Sequence, residues 1–236
     1  MHYIFNRHMY KISEYTELDS MSDLINDNYS ILLPISRFGI SLGFGDKTIG
    51  EVCKENKIDT KTFLVIVNMI INEDSQIVVD STLSIKTILA YLHNSHKYFL
   101  SFKLPKIREM LLNSIGINQT NVAIVIMKFY DEYVLEVTKH MQYEEKHVFP
   151  YINSLIGGGK PKDYSIDIFR KQHDNVESKL SELKNIIIKY CPVETNNELI
   201  TVLFDIFSCS KDLSYHNDIE DKLLVPLIEN YEHNNK

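Results

Sequence analysis

Cysteine is scarce in this chain and poorly placed for a disulfide framework or a thiolate metal site. Cys53, Cys191 and Cys209 are the three among 236 residues, an odd number at no metal-ligand spacing. They read as reduced thiols of a cytoplasmic protein. Long apolar runs are missing as well. The nearest, FLVIVNMII at 63–71, is interrupted by Asn68 and falls short of the ~18 residues a membrane helix needs, so no membrane association is expected. The opening stretch MHYIFNRHMYKISEY has no apolar segment of the kind a signal peptide carries, and none is expected. Like charges never run together in a block, and the net charge is −7. Binding to phosphate backbones needs a basic surface, so nucleic acid is not an expected partner. No stretch alternates apolar and polar residues strongly enough to predict a sheet.

What the chain does have, it says twice. HMQYEEKHVFP at 140–150 is echoed by HNDIEDKLLVP at 216–226. In both, a His is followed four residues later by a Glu, then an acid, a Lys, apolar residues, and a Pro six residues after the Glu. Positions i and i+4 of a helix lie on one face. His140 and Glu144 therefore point the same way, as do His216 and Glu220, and an imidazole aimed with a carboxylate suits iron, manganese or zinc. Upstream of each motif stands a further His, His93 in YLHNSHKYFL and His173 in FRKQHDNVESKL, each followed by Asn or Asp. The steps from 93 to 173 and from 140 to 216 are 80 and 76 residues. Two like halves packed together would bring His93, His140, Glu144, His173, His216 and Glu220 to one centre. Six ligands are too many for a structural zinc and suit two iron ions sharing carboxylates.

The helical period predicts how those residues are carried. Residues 1–76 read as a small helical domain. It has a glycine-punctuated turn at 36–48, a helix over 48–56 and a second over 57–70 capped by Asp59. Helix, turn, helix also suits a DNA reader, but 7 basic against 12 acidic side chains in 1–80 argue otherwise. The polar stretch 72–82 reads as a linker, and 82–236 as a bundle of four long helices. The first is predicted over 83–102, with His93 and His96 on its stripe and Pro105 breaking or kinking the chain beyond it. The second is predicted over 120–152, with Tyr133, Val137, His140, Glu144 and His147 on one face. GGGKPKD at 157–163 is a loop. The third helix is predicted over 164–190. The fourth opens at a capping box, Thr195 to Glu198, and runs to about 230. The expected fold is all-α, an antiparallel four-helix bundle preceded by a small helical domain, with metal sites between facing helices.

A lone His on an apolar stripe is usually a hydrogen-bonded core residue. A lone Glu there is rarer, because a buried carboxylate without a partner is costly. Here every stripe carries a His and two add a Glu at the same offset, which favours a metal. His93 is preferred to His96 because its His-Asn pair matches the His-Asp of 173–174. His147 has Leu223 at its counterpart, so the symmetry selects His140 as the ligand. Glu145 and Asp221 are rotated away and read as solvated or at the helix seam.

With these motifs the chain resembles hemerythrin-like di-iron proteins. It most resembles those of the repair-of-iron-centres family, which are linked to recovery of iron–sulfur clusters after nitric oxide or peroxide damage. The resemblance implies two non-haem iron ions held by four His and two bridging Glu, with an oxo or hydroxo bridge. Hemerythrin itself uses five His with one Glu and one Asp, so the paired His-x-x-x-Glu favours the repair type. Residues 18–25 and 37–59 are similar to the short domain preceding the bundle in that family. That domain usually carries adjacent cysteines before its glycines, where this chain reads SLGFG at 41–45. The resemblance implies a centre that binds O2, nitric oxide or peroxide or donates iron, with damaged iron–sulfur proteins as partners, in the cytoplasm and with a homodimer left open. A sensing or binding module acting through a partner protein is the alternative. A bundle whose polar core only sets helix register is the third reading, and it would leave buried charge unpaired.

Overall fold

The computed structural model describes residues 14–72, 80–115, 121–159, 164–172, 177–191 and 196–234. It is all-α, and among the described residues the sole β feature is an isolated antiparallel bridge between Ser20 and Thr48. The chain packs as two compact units, Met1–Asn94 and Ser95–Lys236. Most of the expected linker, 73–79, lies outside the described residues.

The first unit contains α1 (Met21–Asp27), α2 (Leu32–Arg37), α3 (Ile49–Glu55) and α4 (Thr60–Ile71). The glycine-rich turn after α2 follows a C-capping pattern. Gly39 sits at φ 76°, and Ile40 N–H donates back to Ile35 O at 3.1 Å, which closes the last helical turn as only a residue tolerant of positive φ readily can. Thr48 and Glu51 form a reciprocal capping box at the start of α3. The Asp59 side chain accepts from Thr62 N–H at 2.8 Å and opens α4, as the sequence predicts.

The boundary between the units falls within α5 (Ile85–Tyr98). The second unit then runs through α6 (Leu104–Ile115), α7 (Asn121–Tyr143), α8 (Phe149–Ile156), α9 (Ile166–Gln172), α10 (Glu177–Tyr190), α11 (Asn197–Ile219) and α12 (Val225–Asn234). Helices α6, α7, α10 and α11 close a ring in which each packs on the next and α11 returns to α6. The result is a helical bundle of the expected all-α class, but its first member is α6, beyond the helix predicted over 83–102. Its core runs continuously through Ile107, Leu111, Ile126, Tyr130, Leu183, Val202, Ile206 and Leu213. The helix α11 is capped by Asn196, whose side chain accepts from Leu199 N–H at 2.7 Å. Thr195, the predicted cap, lies outside the described residues, as does 160–163 of the predicted loop.

Pro105 does not end its helix. The chain continues through a π-helical turn, Phe99–Lys103, directly into α6. The same device recurs at Glu144–Val148 between α7 and α8, and at Glu220–Leu224 between α11 and α12. In all three, a proline lies two residues beyond the π turn: Pro105, Pro150 and Pro226. Proline has no N–H to give, and its ring clashes with the carbonyl four residues back. Those carbonyls belong to Ser101, Lys146 and Lys222, each inside a π turn. A wider turn moves the offending carbonyl aside and lets the helix go on.

Leu111 is fully buried in the ring's core. Leu111→Ala is expected to cost about 3 kcal/mol of unfolding free energy, read from urea denaturation of the full chain.

Candidate metal centre

Two of the three π turns begin on a glutamate. Glu144 and Glu220 are the first residues of theirs, and both side chains are 0% exposed. With His96 and His216 they form a buried group whose potential ligand atoms all lie within 4.8 Å of one another. His96 Nε2 lies 3.0 Å from Glu144 Oε2 and 3.2 Å from His216 Nε2. His216 Nε2 is 3.3 Å from Glu220 Oε1. His140, on α7 one turn before Glu144, brings its Nε2 to 3.0 Å from Glu144 Oε1 and is 12% exposed. The His96 ring stacks on Phe149 with centroids 5.4 Å apart, and Phe99 meets His216 edge-on at 6.1 Å. These two rings wall the centre with hydrocarbon.

The donor set fits a cation. Both oxygens of Glu144 are buried and make no aligned hydrogen bond, although imidazole nitrogens stand close by. Such atoms are costly unless something polar completes them. The 4.8 Å span of the donor atoms is comparable to the diameter of one coordination sphere, about 4 Å for ligands at roughly 2.1 Å. Imidazole and carboxylate together suit iron, manganese or zinc.

Glu145 completes this arrangement from outside. Its Oε1 lies 2.7 Å from His96 Nδ1, and its side chain is 32% exposed. A carboxylate there fixes the proton on Nδ1 and turns the Nε2 lone pair toward the centre, the usual support for a metal-binding His. A helical step of 100° per residue predicts Glu145 at the solvent or the seam, and the structure places it at the seam, part-exposed and bonded to His96 of α5. A π turn has more residues per turn and a smaller angle between neighbours. Glu144 therefore enters the centre while the adjacent Glu145 stays within reach of His96 at the helix seam. The proline six residues after Glu144 is the signal in the sequence that points to that turn.

The structure assembles His96, His140, Glu144, His216 and Glu220. His93, expected as a ligand, is instead exposed. The buried side of α5 passes through Ile88, Leu92, Ser95 and His96, and His93 is one residue, about 100°, past Leu92. Spacing carried the hint: the step from 96 to 173 is 77 residues, closer than 80 to the 76 of the other pair. His173 lies outside the described residues. His147 is exposed, with its ring 5.0 Å from that of Tyr143.

Opposing influences act on the charged groups of the centre. Burial and the neighbouring Glu220 push the Glu144 carboxyl up, but His140 and His96 outweigh them and hold it below the usual range. Burial pulls His96 down, while Glu144 and Glu145 more than compensate and raise it to about 9. Metal-free, His96 is therefore an imidazolium at neutral pH, supplying positive charge beside the carboxylates.

The family model described as the hemerythrin HHE cation binding domain matches residues 87–228. No curated protein matches the chain.

Because a metal must displace the His96 proton, loading at pH 7 is expected to release at least one proton. Apparent affinity should climb about tenfold per pH unit toward pH 9; calorimetry in buffers of different ionisation enthalpy reads this. In metal-free protein the sign is opposite. The raised folded-state pKa stabilises the fold fully below the ordinary histidine value, and that contribution is lost as pH rises through about 9. Glu145→Ala is expected to weaken metal binding about tenfold to a hundredfold in a chelator competition, with the fold retained.

Proposed function

Since this chain belongs to the hemerythrin family of cation-binding domains, as the match across residues 87–228 shows, we propose that its buried centre is a non-haem di-iron site that binds O2, peroxide or nitric oxide. His96, His140, Glu144, His216 and Glu220 would hold the iron, with His173 as the remaining ligand implied by the repeat. Bound iron would supply one-electron redox chemistry and affinity for these small ligands. The chain's own residues do the rest. Glu144 and Glu220 provide negative charge where a cation is needed, and Glu145 sets the His96 tautomer. Phe99 and Phe149 keep bulk water from the imidazoles. The observation that carries this reading is the buried group of His96, Glu144, His216 and Glu220, whose donor atoms all lie within 4.8 Å of one another.

The finer proposal is a cytoplasmic role in repair of iron–sulfur clusters damaged by oxidative or nitrosative stress, with damaged iron–sulfur proteins as partners. The twin His-x-x-x-Glu motifs and the small helical unit ahead of the bundle support it. The cysteine-less SLGFG at 41–45 means that a thiol-pair step is not available to this chain. Sensing of oxygen or nitric oxide through a partner protein is the second reading, and that absence favours it.

Elemental analysis of anaerobically purified protein is expected to give two irons per chain, and Glu220→Ala should lose most of the metal. A single tight zinc, or no metal in the wild type, sinks the di-iron reading. Wild type, but not Glu220→Ala, should restore a peroxide-damaged iron–sulfur enzyme. Reversible gas binding without any restoration transfers the assignment to the sensor.

A further inference from the structure

Beside the centre lies a chain of phenols that metal binding does not use. Tyr143 immediately precedes Glu144, and its hydroxyl is 3.0 Å from that of Tyr164. The Tyr164 ring meets that of Tyr151 at 4.9 Å between centroids, tilted 56°. The Tyr151 hydroxyl donates to Glu232, whose Oε1 also accepts from Ile166 N–H at 2.9 Å. Three helices and a loop supply these groups, from α7, α8 and α12 and the segment before α9. Phenylalanine would fill the same space. A buried tyrosine held only for packing looks like Tyr130, whose hydroxyl donates to a backbone carbonyl, Leu104 O, at 2.8 Å. A carbonyl cannot take a proton from a phenol; a carboxylate can.

We propose that Tyr143, Tyr164 and Tyr151, with Glu232 as proton acceptor, form a redox-active tyrosine relay that leads oxidising equivalents away from the metal centre. The balance is simple. One hydrogen peroxide and two tyrosines give two waters and two neutral tyrosyl radicals, each phenol yielding one electron and one proton. At Tyr151 the O–H bond breaks as the electron leaves and the proton passes to a Glu232 oxygen, while solvent supplies in its place the proton that the reduced peroxide takes up. Deprotonation ahead of oxidation is closed off. Burial, and then the Glu232 hydrogen bond, raise Tyr151 well above the ordinary tyrosine range. Burial raises Tyr164 likewise, with Tyr143 and the Glu144 charge adding to it. A positioned base is what such a phenol needs. The relay rests on the di-iron reading only for the place where peroxide is reduced.

The test separates the two. In the first arm, metal-free full-length protein is oxidised by photogenerated tris(bipyridine)ruthenium(III), with persulfate as the electron sink, and freeze-quenched for EPR. A tyrosyl signal is expected. Tyr151→Phe and Tyr164→Phe should cut its yield several-fold, Tyr130→Phe should leave it unchanged, and Glu232→Gln should slow its appearance at least about tenfold. Equal yields in wild type and both relay variants, as when the 14 tyrosines are oxidised without preference, overturn the relay. Should Glu232→Gln not fold, Tyr151→Phe, which keeps the ring and removes the donor, decides alone. In the second arm, iron-loaded protein is treated with hydrogen peroxide, and the same Tyr151-dependent radical is expected. A radical in the first arm without one in the second overturns the link to the centre. Protein that binds no iron overturns the di-iron reading, while the first arm still decides the relay.

Discussion

Two carboxylates that never see water, Glu144 and Glu220, sit in one group with ligand atoms within 4.8 Å. Like charges that close in a low-dielectric interior repel strongly, and each has lost its hydration. The pair is tolerable only if positive charge stands between or beside them. Without metal the His96 imidazolium supplies part of it; a bound cation supplies more. The aromatic walls, the helix ring and the local breaks in helical geometry all keep this charged group in place and dry.

Those breaks have a common cause. A regular α-helix gives a bundle one inward-facing position in roughly every three or four. A metal centre needs more donors than that from a short length of helix. The proline two residues past each π turn forces a wider turn, and at Glu144–Val148 two consecutive acids serve the centre, one buried within it and one at the helix seam behind His96. Proline here acts on the side chains upstream of it, through the carbonyl its ring displaces. π turns commonly mark functional sites, and this protein shows how a short sequence element can place one.

The aromatic residues divide by what their polar ends touch. Phe99 and Phe149 shield the imidazoles, Tyr130 ties its helix to Leu104 O, and Tyr151 faces a carboxylate. The same ring volume thus meets a backbone carbonyl in one place and a carboxylate in another.

The repeated His-x-x-x-Glu, its trailing proline and the apolar stripes were readable from the chain alone. They follow from helix periodicity, which is a local property. So were the all-α class, the Asp59 cap and the glycine turn at 36–48. Tertiary structure decided the rest. It buried His96 and left His93 exposed, because which side of α5 is buried depends on what packs against it and not on the neighbouring Asn. It joined the Glu145 carboxylate at the seam to His96, because spacing along one helix does not show which side chain of another will meet it. It also brought Tyr151 and Glu232, 81 positions apart, into contact, since no local rule connects residues on different helices until the bundle closes.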